Sequence, residues 1–183
     1  HPLIIVPTTC GTGSEVTNIS VMNRVSKGVK MGLASDAMLA DKAVLITNLL
    51  DSMPYQVFAT SSIDAMVHSA ESFLSPNGCS ISRLFSSEAL KLILTCWDKV
   101  VKEGGEEAWK RYAAEFLEAS NWAGLGFGYA GCAAVHACAY PLGSVYHIPH
   151  GQSNQLMFQD VMKMYKKLCP DGRINELEAL IAE

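Results

Sequence analysis

Four side chains carry the chemistry open to this sequence. Asp64 and His68, in SIDAMVHSAES, stand four residues apart, so on a helix both leave one face about a turn apart and can bind one ion. His136 and His150, in VHACAYPLGSVYHIPHGQSN, flank the Pro141-Leu142-Gly143 turn and Pro149, which lets one sit on a helix and the other arrive on a loop. Three imidazoles and a carboxylate suit Zn²⁺ or Fe²⁺, whereas Mg²⁺ or Ca²⁺ would call for oxygen alone. Each piece has a plainer reading. A D-x-x-x-H pair is often a surface ion pair or a satisfied core histidine, His136 could bond a backbone carbonyl, and His147 and His150 could both be loop residues. Their joint occurrence is what favours a metal-dependent enzyme.

A second stretch invites a ligand. TTCGTGSEVT, residues 8–17, packs two glycines, four threonines and a serine into ten residues, a loop whose N–H groups and hydroxyls could receive a phosphate or a sugar edge. Val16 stands where the last glycine of a G-x-G-x-x-G fingerprint would be, so an ordinary turn stays equally open.

The elements that must position these groups fall into two textures. Residues 3–6 and 43–47 are short apolar runs that suit buried strands, and the alternation within 19–34 predicts a strand pair with a turn near 26–28. From Asp51 the pattern turns helical: Asp51 or Ser52 caps, Pro54 fits the first turn, and apolar positions recur through Phe73 until Ser75-Pro76-Asn77-Gly78 stops them. Further helices are expected over 81–101, 106–125, 135–142 (closed by Pro141 and Gly143), 151–167 and 175–183. The small residues of AGLGFGYAGCAA leave room for another backbone or a ligand to come close. The fold class is therefore an α/β N-terminal remnant, residues 1–50, followed by an all-α helical domain, residues 51–183.

Composition narrows the function. At 183 residues, 49% hydrophobic and 17% charged, the chain can bury a substantial core. A net charge of −4 with no Lys/Arg-rich run argues against nucleic acid as a partner. No apolar run approaches the ~20 residues of a membrane span. Six scattered cysteines without a C-x-x-C pair read as reduced thiols in a cytoplasm. Both ends look cut: an apolar run begins almost at His1, and the last residues stop inside a helical pattern.

PTTCGTGSEVT, SIDAMVHSAESFLS and HACAYPLGSVYHIPHGQSN, in this order, together resemble the iron-containing (group III) alcohol dehydrogenases. The resemblance implies a dehydroquinate synthase-like architecture, with an α/β dinucleotide-binding domain, a helical domain and a metal in the cleft between them. It places the metal ligands, Fe²⁺ or else Zn²⁺, on Asp64, His68, His136 and His150. It places cofactor contacts, NAD with NADP not excluded, on Thr8, Thr9, Gly11, Thr12, Gly13 and Ser14, with Lys30 approaching the cofactor ribose. It implies a homo-oligomer acting on a small alcohol or aldehyde.

Two departures stand out. The family's Gly-Gly-Gly-Ser pyrophosphate loop would lie upstream of His1, so this stretch alone is expected to bind NAD poorly. Where many members read H-A-x-A-H-P-L-G, this chain has Tyr140. That tyrosine, His147 and the Cys169-Pro170-Asp171-Gly172 stretch resemble the 4-hydroxybutyrate dehydrogenase branch, with Tyr140 orienting substrate or relaying its proton and His147 facing a substrate carboxylate. A butanol or propanediol type of alcohol dehydrogenase, a lyase of the dehydroquinate synthase type and a helical module with a structural metal are the rivals.

Overall fold

The computed structural model describes residues 1–27 and 29–182, and all of their side chains except those of Asn23, Lys27 and Lys30. Four short strands open the chain: β1 (Ile4–Ile5), β2 (Ile19–Arg24), β3 (Val29–Ala34) and β4 (Lys42–Ala43). β2 and β3 form the expected antiparallel pair, in a register running from Ile19 opposite Ala34 to Arg24 opposite Val29. Among the described residues β1 pairs in parallel with β4 alone. The run at 43–47 is not the buried strand its composition suggests. Pairing stops at Ala43, and Val44, Leu45 and Ile46 stay exposed, as do Leu3, Ile4 and Val6. Two paired strands have too few neighbours to cover both of their faces.

Six helices follow: α1 (Tyr55–Leu74), α2 (Ser80–Lys102), α3 (Ala113–Ala130), α4 (Ala134–Val145), α5 (His150–Leu168) and α6 (Ile174–Ala182). α1 starts one residue later than its sequence suggests. Pro54 is the capping residue rather than part of the first turn, and neither Asp51 nor Ser52 caps it. α3 likewise starts late, because Ala108–Tyr112 form a 3-10 turn first. Within α4, Pro141 does not close the helix, which runs on to Val145. Proline removes one intrahelical donor and costs about 3 kcal/mol mid-helix, and here its ring lies on the exposed face of α4. The bend between His136 and His150 therefore falls at residues 146–149, where His147 adopts a left-handed φ of 57°.

α1 is the axis of the molecule, with α2, α3 and α5 packed against it. One end is aromatic: Phe58 stacks on Trp109 at 4.3 Å and meets Phe116 edge-on at 4.8 Å. Further along, Ala70 and Phe73 pack with Leu90, Ile174 and Leu177, and Val67 packs with Val135 and Val161. A helix enclosed on so many sides must satisfy its own polar groups. The Ser69 hydroxyl donates to the Ala65 carbonyl at 2.8 Å and that of Ser72 to the His68 carbonyl at 2.6 Å.

The small-residue stretch of α3 is where the N-terminal loop docks. A Cβ built on Gly124 would stand 2.5 Å from the Gly13 carbonyl oxygen and 2.8 Å from its Cα, and Gly13 itself has a φ of 56°. Backbone meets backbone there, and the side chain of Asn121 donates to the buried Glu15 at 2.9 Å beside it. Gly124→Ala is expected to destabilise the protein by about 2 kcal/mol, lowering Tm by about 4–8 °C. Gly32→Ala, where nothing lies within 4 Å of the added methyl, should stay within about 0.5 kcal/mol of the parent. Equal melting temperatures for the two variants would show that the loop does not dock on α3.

Candidate metal centre

The groove between the β2–β3 pair, the middle of α1, the end of α3, α4 and the start of α5 is a cavity of about 670 Å³, lined by Thr12, Ser14, Asp64, His136, Tyr140 and His150 among others. Asp64 points from the middle of α1, His136 from the first turn of α4, and His150 is the first residue of α5 rather than a loop residue. Their ligand atoms lie within 4.8 Å of one another. Asp64 Oδ1 stands 3.6 Å from Nε2 of both His136 and His150.

His68 leaves α1 one turn after Asp64, as the spacing requires. It falls in a second group, with Cys132 and His136, that overlaps the Asp64 group at His136. Its ring is held between Phe127, stacked at 4.2 Å, and His136, stacked at 4.5 Å. It is buried, and its Nδ1 finds no hydrogen-bond partner among the described residues.

Three further residues shape the centre, and the sequence reading singles out none of them. Glu71 is fully buried. Its carboxylate accepts the backbone N–H groups of Ala133 at 3.0 Å and Val135 at 2.7 Å and lies 2.6 Å from His136 Nδ1. That contact commits Nδ1 to Glu71 and leaves Nε2 to face Asp64, the outer-shell arrangement that orients metal-binding histidines. Asn154 lies one turn past His150 on α5. Its amide nitrogen donates to Asp64 Oδ1 at 2.6 Å and lies 3.1 and 3.4 Å from Nε2 of His136 and His150. Cys132 lines the cavity from the loop before α4. Spacing offered a signal for each: Glu71 is three residues past His68, Asn154 four past His150, and Cys132 four before His136.

Charge is concentrated here. For Asp64, burial works against ionisation, but His68, His136 and His150 outweigh it and hold the carboxyl down at about 2. For His136, burial works against the charge, but Asp64, Cys132 and Glu71 push it up to about 12. Burial also raises the Cys132 thiol, yet His136 and His68 bring it down to about 7. A cationic imidazole among carboxylates occupies electrostatically the position a divalent ion would take, so ion binding must displace a proton. Nitrogen and oxygen donors in reach of one another, with one histidine already oriented, fit a borderline divalent metal such as Fe²⁺ or Zn²⁺.

The predicted cofactor loop divides in two. Thr12 and Ser14 are exposed and line the cavity, whereas Gly11 and Gly13 are buried against the backbones of Ser61 and Gly124, where they serve packing. Thr8 and Thr9 lie outside the cavity lining, and the Lys30 side chain lies outside the described ones. Tyr140 lines the cavity with its ring 6.3 Å from that of His150. His147 is exposed on the turn before α5 and does not line it.

Residues 58–183 match the model of the Fe-containing alcohol dehydrogenase family, C-terminal, and residues 1–47 match that of iron-containing alcohol dehydrogenase. The chain belongs to the iron-containing alcohol dehydrogenase family. Among its relatives, 4-hydroxybutyrate dehydrogenase of Clostridium kluyveri is 44% identical over 98% of this chain and 48% of its own length. Long-chain-alcohol dehydrogenase 1 of Geobacillus thermodenitrificans is 40% identical over 98% of this chain and 44% of its own length. The chain thus spans about half the length of the curated relatives it matches. A crystal structure of an iron-containing alcohol dehydrogenase superposes with a TM-score of 0.86 at 30% identity, over 99% of this chain and 48% of that one. Sulfoacetaldehyde reductase of Bifidobacterium kashiwanohense, solved in complex with NAD⁺, superposes with a TM-score of 0.81 at 30% identity, over 90% of this chain and 43% of its own. The expected family architecture is therefore present in the part of the fold this chain contains. No helix among the described residues is long and apolar enough to cross a membrane.

Proposed function

We propose that the protein containing this chain is a metal-dependent, NAD(P)-linked oxidoreductase that interconverts a primary alcohol and its aldehyde, with 4-hydroxybutyrate and succinate semialdehyde as the substrate pair. The observation that carries this reading is the Asp64–His136–His150 cluster lining one cavity with Thr12 and Ser14. In the proposed division of the chain, residues 1–50 complete the dinucleotide-binding domain and residues 51–183 form the metal-binding one. Asp64, His68, His136 and His150 are the proposed ligands, Fe²⁺ first and Zn²⁺ second. When bound, such an ion supplies Lewis-acid stabilisation of charge on the substrate oxygen, and a nicotinamide supplies the hydride acceptor.

The chain's own residues do the rest. Glu71 fixes the tautomer and ring plane of His136, and Asn154 donates to Asp64 and so orients its carboxylate. Phe127 and His136 clamp the His68 ring. Tyr140 lines the cavity, which supports a role in orienting a substrate hydroxyl and passing its proton toward solvent. His147, on the exposed turn before α5 and outside the cavity lining, is kept as the proposed contact to a substrate carboxylate, beside Tyr140 in the proposed catalytic role. The six free cysteines support a reducing, cytoplasmic setting.

A lyase of the dehydroquinate synthase type would need cations for a sugar acid phosphate, and no Lys or Arg is among the described residues lining the cavity. The test is an NAD- and NADP-linked screen of the full-length protein over short alcohols, diols and ω-hydroxy acids, combined with elemental analysis. The expected result is about one Fe or Zn per chain and a kcat/KM for 4-hydroxybutyrate at least about tenfold above that for butanol or propanediol, the equivalent of ~1.4 kcal/mol. Metal-loaded protein inactive on every alcohol would overturn the oxidoreductase reading, and a preference for the uncharged alcohols would overturn the substrate assignment alone.

A further inference from the structure

Helix α4 carries His136 but has no cap of its own. Ala133 occupies the capping position and makes no side-chain bond to the turn, where a serine, threonine, aspartate or asparagine would ordinarily accept a free N–H. The acceptors come from other helices instead. Glu71 of α1 takes the N–H groups of Ala133 and Val135, and the Tyr165 hydroxyl of α5 accepts the N–H of Ala134 between them, at 3.1 Å. We propose that Tyr165 is a positioning residue of the metal centre: by pinning the first turn of α4 to α5, it sets where His136 stands relative to His150. The proposal rests on the ligand assignment above and adds to it a residue that does not line the cavity.

The same face of α5 serves both ends of the centre. Tyr165 follows Asn154 by eleven residues, close to three full turns, so the two side chains leave one face. Asn154 meets Asp64 of α1 at the start of that face, and Tyr165 meets α4 further along it. Between them Val161 packs with Val67 of α1 and Val135 of α4. His136 lies two residues beyond the amide that Tyr165 receives, within the same helical turn. Any shift of that turn moves the His136 ring, which stands 5.4 Å from that of His150.

Ring and hydroxyl of Tyr165 do separable work. The ring packs against both apolar clusters, the one around Leu90 and the one around Val67, and the oxygen reaches α4. Phenylalanine keeps the first contact and loses the second. The start of α4 is not wedged by packing on this side, because a cavity of about 330 Å³ opens there, lined by Glu71, Ala133 and Tyr165 among others. A water admitted from it would satisfy the Ala134 N–H without tying it to α5. The turn then has room to move, and the position of His136 is no longer fixed from two sides.

The test does not use turnover. Metal-free full-length protein is titrated with Co²⁺, whose visible bands report coordination geometry, and the affinity is measured against a chromophoric chelator. Tyr165→Phe is expected to bind Co²⁺ about tenfold more weakly than the parent and to change the intensity of the bands, still at one ion per chain. Ile93→Val, a buried change on α2, supplies the comparison: it should lower Tm and leave affinity and bands as in the parent. Parent-like affinity and bands in Tyr165→Phe would overturn the proposal. So would an equal loss in Ile93→Val, which would trace the effect to general destabilisation. A parent protein that takes up no Co²⁺ would overturn the ligand assignment and this proposal with it, so the two failures read differently.

Discussion

Replacing His136 with alanine is expected to empty the metal centre. His136 is the only residue common to both groups of candidate ligands, and its ring also stacks on His68 at 4.5 Å. A four-ligand zinc site contributes about 10–16 kcal/mol, so one ligand accounts for about 3 kcal/mol, or roughly a hundredfold in affinity. Elemental analysis after dialysis against a weak chelator would give the answer. Near-stoichiometric metal in the variant would remove His136 from the ligand assignment.

The second large effect is expected at Glu71, a residue that need touch neither metal nor substrate. Glu71→Gln keeps the shape but gives one amide oxygen and one amide nitrogen to a site with three donors: two backbone N–H groups and His136 Nδ1–H. Breaking a buried charge pair on one side costs about 3 kcal/mol or more, about 6–12 °C in Tm for a chain of this size. Metal affinity should fall about 10–100-fold through the misoriented histidine.

The pH dependence separates a charge effect from a packing one. Burial raises the Glu71 carboxyl, but the hydrogen bonds from His136, Ala133 and Val135 outweigh it and hold the group below its ordinary 4.5. A depressed carboxyl stabilises the fold above its unfolded-state value and loses that contribution as pH falls through the folded one. Protonated Glu71 resembles glutamine, while His136, pushed up to about 12, stays charged throughout. The stability gap between parent and variant in metal-free protein should therefore be full above pH 4.5 and shrink below it. A gap that stays constant or widens on acidification in urea unfolding would assign Glu71 to packing alone.

The type and order of the long elements were legible in the chain, because helical periodicity and the Ser75–Gly78 stop are local signals. Asp64 and His68 could be placed on one helical face for the same reason. Element ends were less legible. Pro141 looked like a terminator, yet α4 runs past it because the ring sits on an exposed face where the lost hydrogen bond can be replaced by water. The glycines of residues 8–17 looked like a ligand loop. Both of them also pack against the backbones of Ser61 and Gly124, partners that no local pattern names.

Sequence by itself determined the donor inventory of the opening stretches: which side chains can ligate, which helix carries Asp64 and His68, and which family pattern the three segments share. Tertiary structure alone decided how those donors group. His136 comes within reach of both Asp64 and His68, Glu71 reaches from α1 to claim His136 Nδ1, and Asn154 meets Asp64 from α5. The physical reason is that coordination depends on distances between groups on different helices. Those distances follow from how α1, α4 and α5 pack, which spacing within any one helix does not encode.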